Sequence, residues 1–459
     1  MPPRLLLTGL ALLALSTMPA SAASPVAAAP AAVPVPAASQ AAIDTVKKRL
    51  ADSFVSTADG ASEVSVPVLL ATLDAAGHWP DLDVKYSPDT QPAVSRYVHF
   101  LRVWKLAGAW RQTTDAPRRA ELSAAIHRAL GFWLHKPKPD GVPWFYLIGA
   151  PQAVARAALI LDEELTPDER RAAIAILQTC LRADGVLIYA GSPATGQNLQ
   201  HEAEIQIVAG CLMPDPAYLA RYAAQIEREI AIRDAEGLKA DWSFHQHGPQ
   251  LYSGGLYGNG FSRDGAKLAW ALRDTPFAFS PPTVSALIHC VLDGQQWMTR
   301  GRSFDFLTAG RMVAWPRFQG VEPEGDQGVA DAGVHLAEFD PARHDELLAF
   351  SARMSGQAAP STAPSGNRVF WASDYQSHQR PAFFASARMS SRRVFGTESG
   401  GGQNTLGYHL GDGAMALMVT GDEYRDIFPL WDWRRVPGVT TVDNPSVPFP
   451  RHTWGKGSQ

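Results

Sequence analysis

The sequence predicts an α+β chain of more than one domain, with helical hairpins first and antiparallel sheet after them. Three observations carry this. Apolar residues recur at helical spacing from about residue 41 to about residue 300. A Pro/Gly/Ser-rich break, GQAAPSTAPSGN, occupies 356–367. Beyond it the apolar segments are short and separated by Gly-Asp turn signals, as in antiparallel sheet. At 459 residues with 46% hydrophobic side chains, the chain has material for more than one ordinary core.

The helical elements can be justified in order. Leu122, Ile126, Leu130 and Trp133 make one apolar face in 118–134. Thr166-Pro167-Asp168-Glu169 reads as a capping box with proline at the first helical position, and Ala173, Ile174, Leu177 and Leu181 continue it as a buried stripe. Asp215-Pro216 opens the next helix, with Leu219, Tyr222, Ala223, Ile226 and Ile230 on one side. No exact repeat is visible, which favours an irregular helical barrel or toroid over a regular solenoid. After the break, RVFWASDYQ, AFFASARMSS and GAMALMVTGDEY supply the strands.

The N-terminus has one arginine, an apolar run from Leu5 to Leu15 and the small-residue site Ala20-Ser21-Ala22, the pattern of an export signal. Residues 1–22 are therefore expected to be a signal peptide and 23–40, rich in Ala and Pro, a tether. The expected location is secreted or periplasmic, with no later segment crossing a membrane. The remaining boundaries are a helical catalytic domain at 41–355, a linker at 356–367 and the start of a sheet domain at 368–459. A formal net charge of −4 without a Lys/Arg-rich tract argues against nucleic acid as a partner. Cys180, Cys211 and Cys290 lie in apolar helical sequence and read as buried thiols.

The chemistry concentrates in residues 241–261, DWSFHQHGPQLYSGGLYGNGF. His245 and His247 could chelate a metal with His201, yet no HExxH, CxxC or nearby acidic ligand accompanies them. Packing is a second reading, chiefly for His245. A third is proton transfer: Tyr252 and Tyr257 follow in a glycine-rich run that can curve around a ligand. A tyrosine becomes a base when a cation lowers its pKa, and Arg311 is the candidate cation.

QHGPQLYSGGLYGNGF, with ATGQNLQ (194–200), AGRMVAW (309–315), GTESGGGQN (396–404) and IFPLWDWRRVPGVTT (427–441), resembles the polysaccharide lyases of the hyaluronate, chondroitin AC and xanthan lyase family. The resemblance implies an incomplete α/α toroid followed by antiparallel β-sandwich, and β-elimination on a uronic-acid polysaccharide. It implies that Asn198 and His247 neutralise the uronate carboxylate, Tyr257 is general base and acid, and Arg311 and Glu398 fix and polarise it. Trp144 and Phe145 would form the sugar-stacking platform, with Gln250, Arg317 and Asn404 as further substrate contacts. No catalytic cofactor is implied, a structural cation stays open, and the expected partner is an acidic polysaccharide bound by a monomer.

The chain also departs from the family's pattern. The His247-to-Tyr257 spacing is one residue longer than in the chondroitin AC type, Trp315 stands where many members have a second arginine, and the usual Asn-Trp-rich segment is VPWFYLIGAP. The chain stops at WGKGSQ, where members continue into further sheet, so an incomplete sheet of weak stability is expected. Two other functions are weighed. A toroid glycoside hydrolase would need paired carboxylates, with Asp241 and Glu204 as candidates. A catalytically inactive glycan-binding protein would bind without cleaving.

Overall fold

The computed structural model describes residues 40–85, 91–314, 324–398, 404–425, 427–441, 444 and 446. The expected signal peptide, most of the tether, Trp315 and Arg317 lie outside these described residues. The first helices are α1 (Gln40–Ser56), α2 (Val66–Thr72) and α3 (Asp81–Lys85). Five hairpins follow: α4 (Pro92–Gln112) with α5 (Ala116–Trp133), α6 (Ala150–Leu161) with α7 (Pro167–Leu177), α8 (Gly196–Leu212) with α9 (Pro216–Glu229), α10 (Gly255–Leu272) with α11 (Pro281–His289), and α12 (Glu324–Ala337) with α13 (His344–Met354).

The first helix of each hairpin packs on the first helix of the next, from α4 through α6, α8 and α10 to α12, while α1 packs against α4, α6, α8 and α10. These helices form the inner layer of an α/α toroid, and α5, α7, α9, α11 and α13 lie outside it. Helix starts follow from local chemistry. Thr166 and Glu169 make the reciprocal capping box that opens α7. Asp115 and Asp215 accept from Arg118 N and Tyr218 N at the starts of α5 and α9, each with proline in the first turn. Phe145–Glu164 is long and apolar enough to cross a membrane, contrary to the expectation that no later segment would be, but it is mostly buried as a core helix of the toroid.

Three two-residue hairpins interrupt the helices: β1 (Ile188–Tyr189) with β2 (Ser192–Pro193), β3 (Gly237–Leu238) with β4 (Phe244–His245), and β5 (Thr299–Arg300) with β6 (Ser303–Phe304). The sheet proper contains β7 (Gly366–Phe370), β8 (Tyr375–Arg380), β9 (Phe383–Met389) and β10 (Asp412–Met418), antiparallel throughout in the order 10-9-8-7. RVFWASDYQ thus contains a tight turn between two strands, with Asp374 in the left-handed region at φ 46°. The helical part ends at Met354 and the first strand begins at Gly366.

The inner face of the sheet carries Tyr375, Ser386 and Arg388 as well as apolar residues, and it grips the loop ahead of Arg311. Tyr375 donates to Asp305 Oδ2 at 2.7 Å, Ser386 donates to the same carboxylate, and Arg388 donates to the Leu307 carbonyl at 2.7 Å. His245 is buried against this junction, bonded through Nε2 to Ser373 Oγ at 2.8 Å. Burial pushes its pKa down to about 3, so it stays neutral. All three cysteines are buried free thiols.

The outer sheet face exposes Val369, Met389, Met415, Leu417 and Val419, an apolar surface of the kind that drives association. Combining Leu417→Lys with Val369→Lys should raise the protein concentration at which light scattering detects association. Tm should change by no more than ~2 °C, as for other exposed substitutions. Unchanged association in the double variant would show that this face does not drive it.

Candidate active site

The turn after His247 is shaped by close packing. Gly255 has φ 68°, and a side chain there would press on Ala309 O. Gly310 has φ 57°, and its Cβ would fall 2.3 Å from the Tyr252 ring. These glycines bring the start of α10 against the segment carrying Arg311.

Arg311, 5% exposed, is the hub. Its Nη1 pairs with Glu398 Oε1. Its Nη2 donates to the Tyr257 hydroxyl at 3.1 Å, and its backbone N–H donates to the Tyr252 hydroxyl at 3.1 Å. Tyr252 in turn donates to Glu398 Oε1 at 3.3 Å. The Nδ1 of His247 lies 2.8 Å from both Glu398 Oε1 and Arg311 Nη1. The His247 and Tyr257 rings meet edge-on, with centroids 4.8 Å apart. His247, Tyr257, Arg311 and Glu398 therefore form one cluster, and Arg311 pairs with Glu398 while Asp305 is bound by the sheet.

The electrostatics run against one expectation. Burial raises the Tyr257 pKa, Arg311 pulls it back by charge and hydrogen bond, and the net shift is upward. The cation offsets desolvation without overcoming it. Tyr252, fully buried, is raised well above the usual phenol range, first by burial. Burial also raises Glu398, but the His247 hydrogen bond and the charges of His247 and Arg311 outweigh it and hold the carboxyl below its ordinary value.

Asn198 lies buried in the first turn of α8, and its side chain makes no hydrogen bond among the described residues; its Oδ1 has no partner. That turn reaches the His247 loop through Gln246, whose Oε1 accepts from Gln197 N at 3.0 Å. Trp144 and Phe145 are half-buried and form an edge-on aromatic group with Tyr97, at 5.4 to 5.6 Å between centroids. Gln250 and Asn404 hold the backbone of Glu398. Gln250 Oε1 accepts from Glu398 N at 3.2 Å, and Asn404 Nδ2 donates to Glu398 O at 3.0 Å. His201 is bound to Gln197 and Asp264.

Sequence reasoning missed Tyr189 and Glu236. Tyr189, half-buried on β1, lies within electrostatic range of Tyr257 and Arg311. Glu236 bonds three groups around the site. The available signal for Glu236 was its place on a short hairpin opposite the QHG run.

The helical part and the antiparallel sheet part thus meet at a tyrosine–arginine–glutamate–histidine cluster. Residues 36–348 match the polysaccharide lyase family 8 N-terminal alpha-helical domain, and residues 365–458 match the polysaccharide lyase family 8 super-sandwich domain. The chain belongs to polysaccharide lyase family 8. It is 27% identical to a chondroitinase-AC of Pedobacter heparinus over 82% of this chain and 52% of that protein. It is 24% identical to a hyaluronate lyase of Thermasporomyces composti, over 83% and 53% of the two chains. A solved chondroitinase AC lyase structure superposes with a TM-score of 0.77 at 25% identity, covering 91% of this chain and 60% of that one. A Streptomyces coelicolor chondroitin AC lyase in complex with chondroitin sulphate gives 0.71 at 21% identity, over 91% and 63%. The chain spans about half the length of the curated relatives it matches.

Removing Glu398 leaves the Arg311 charge buried without its carboxylate. Glu398→Ala should therefore lower unfolding stability by about 3–5 kcal/mol in a urea titration, with Glu398→Gln losing less. A loss below ~0.5 kcal/mol for the alanine variant would show that the pair is not held as described.

Proposed function

We propose that this chain cleaves a uronic-acid polysaccharide by β-elimination. The observation that carries the reading is the Tyr257 hydroxyl held 3.1 Å from Arg311 Nη2, inside a cluster with His247 and Glu398. The C5 proton of a uronate lies beside an ionised carboxylate, so its removal places further negative charge on an anionic group. Donors aimed at that group stabilise the enolate-like state. Asn198, whose amide makes no hydrogen bond among the described residues, supplies one. We place His247, held through Nδ1 between Glu398 and Arg311, as the other.

Tyr257 as phenolate takes the C5 proton. The C4–O bond breaks, the C4=C5 double bond forms, and the proton passes from the phenol to the departing oxygen. Tyr257 is 8% exposed and Tyr252 fully buried, so Tyr257 is the phenol that can meet a substrate. The half-buried Trp144 and Phe145 are proposed as the sugar-stacking platform, and Arg317 as a further substrate contact. The export-signal pattern of residues 1–22 supports a secreted or periplasmic monomer, and the family resemblance supports hyaluronan, chondroitin, xanthan or a similar acidic glycan as substrate, with no cofactor in the steps above. A hydrolase reading loses support because Asp241 is committed to Ser243 and Ala372, and Glu204 to Lys267.

The test is to incubate the protein with a panel of uronans and follow ultraviolet absorbance of the unsaturated product. Tyr257→Phe should lower the rate by at least ~100-fold, the scale of losing a general acid–base group. Tyr252→Phe should cost no more than about tenfold, the scale of one lost hydrogen bond. The reverse order would move the base to Tyr252.

The pH dependence follows from the raised Tyr257 pKa. Below that pKa the reactive phenolate fraction grows tenfold per pH unit, so kcat/KM should climb with pH through neutrality with a log slope approaching ~1. A flat profile from weakly acid to weakly alkaline pH would rule out the phenolate of the free protein as the base.

A further inference from the structure

We infer that Glu236 is a positioning residue, the clamp that sets the spacing between Asn198 and His247. The functional part of this inference rests on the elimination reading above.

The register of the short hairpin pairs Gly237 with His245, which places Glu236 opposite Gln246. From there one carboxylate reaches three donors. Its Oε2 accepts from Gln246 Nε2 at 2.6 Å and from Thr195 Oγ1 at 2.7 Å, and its Oε1 accepts from Gly248 N at 2.9 Å. Thr195 is the residue before α8, and its hydroxyl makes no capping bond to its own helix. Gln246 caps that helix instead, through the Oε1 that accepts Gln197 N at 3.0 Å. The amide of Gln246 is thus held at both ends, by Glu236 and by the first turn of α8.

What the clamp joins gives it a purpose. Asn198 is one residue beyond Gln197. His247 lies between Gln246 and Gly248, in the left-handed region at φ 59°, with Gly248 following at φ 97°. A non-glycine residue held there is strained and persists only where its surroundings fix it. The Gly248–Glu236 bond fixes one side of this turn, and the His247–Glu398 bond fixes the ring. Gly196 leaves the clamp no room to shift, since a Cβ there would lie 2.2 Å from Gln246 Oε1.

An amide cannot replace the carboxylate. In Glu236→Gln the side-chain NH₂ must face either Thr195 and Gln246 or the Gly248 N–H, so at least one donor loses its acceptor. With the two carboxylate-binding groups loosened, the transition state suffers more than substrate binding. The experiment measures Tm, amide hydrogen exchange and steady-state kinetics for the wild type, Glu236→Gln and Thr195→Val. In Glu236→Gln, exchange at Gly248 N and Gln197 N should accelerate, and kcat should fall about tenfold or more with KM within about threefold. Thr195→Val, which removes one of the three bonds, should give a smaller fall in kcat, and the double variant should be no worse than Glu236→Gln alone. If Glu236→Gln does not fold, Thr195→Val carries the test through the same two readouts. Unchanged exchange at both amides, or accelerated exchange with kcat within twofold of wild type, would overturn the inference. A wild-type chain that releases no unsaturated product from any uronan would refute the elimination reading, while amide exchange would still decide whether Glu236 acts as the clamp.

Discussion

The structure is organised around a buried guanidinium. Arg311 is almost out of contact with solvent, and an isolated charge there would be too costly to keep, so its position demands a carboxylate. Glu398 supplies it from beyond the sheet strands β7–β9, far along the chain from the toroid. One ion pair therefore requires that helical and sheet parts meet. Around it the two tyrosines and His247 arrange themselves as donors, acceptors and edge-on rings. The sheet then does two jobs: it delivers Glu398, and it holds the Asp305–Leu307 segment that leads to Arg311.

That arrangement explains why the site combines strained backbone with dense hydrogen bonding. His247 adopts a left-handed conformation, and the bonds of its neighbours Gln246 and Gly248 to Glu236, with its own ring bond to Glu398, keep it there. Gln250 and Asn404 grip the backbone of Glu398 in the same spirit. Buried side chains thus fix the groups proposed to meet the substrate, which is the pre-organisation that electrostatic catalysis requires.

Much of this was legible in the sequence, for physical reasons that can be named. The helical hairpins were visible because caps such as Thr166–Glu169 and stripes such as Leu219–Tyr222–Ile226 are local patterns. The cluster of His247, Tyr257, Arg311 and Glu398 was legible through family resemblance, since nothing local joins residues so far apart. Depth was not legible. Gln250 and Asn404 have the right chemistry for sugar contacts, and their burial and bonds to the Glu398 backbone could not be read from the sequence. The Tyr257 shift went the other way for the same reason: a nearby cation can be guessed from residue type, whereas desolvation depends on the packed site. Glu236 escaped notice because its importance lies in cross-strand register and in reaching three loops at once.

In the proposed reaction this cluster breaks a glycosidic bond by moving a proton, with no water added across it. The most direct measurement is to let the protein act on a uronan in oxygen-18-labelled water and weigh the fragments by mass spectrometry. The account predicts shortened chains that carry no solvent oxygen at the broken bond, one new end being lighter by one water. Labelled oxygen at that bond would contradict it in favour of hydrolysis, and intact chains that remain bound to the protein would contradict it in favour of a binding role.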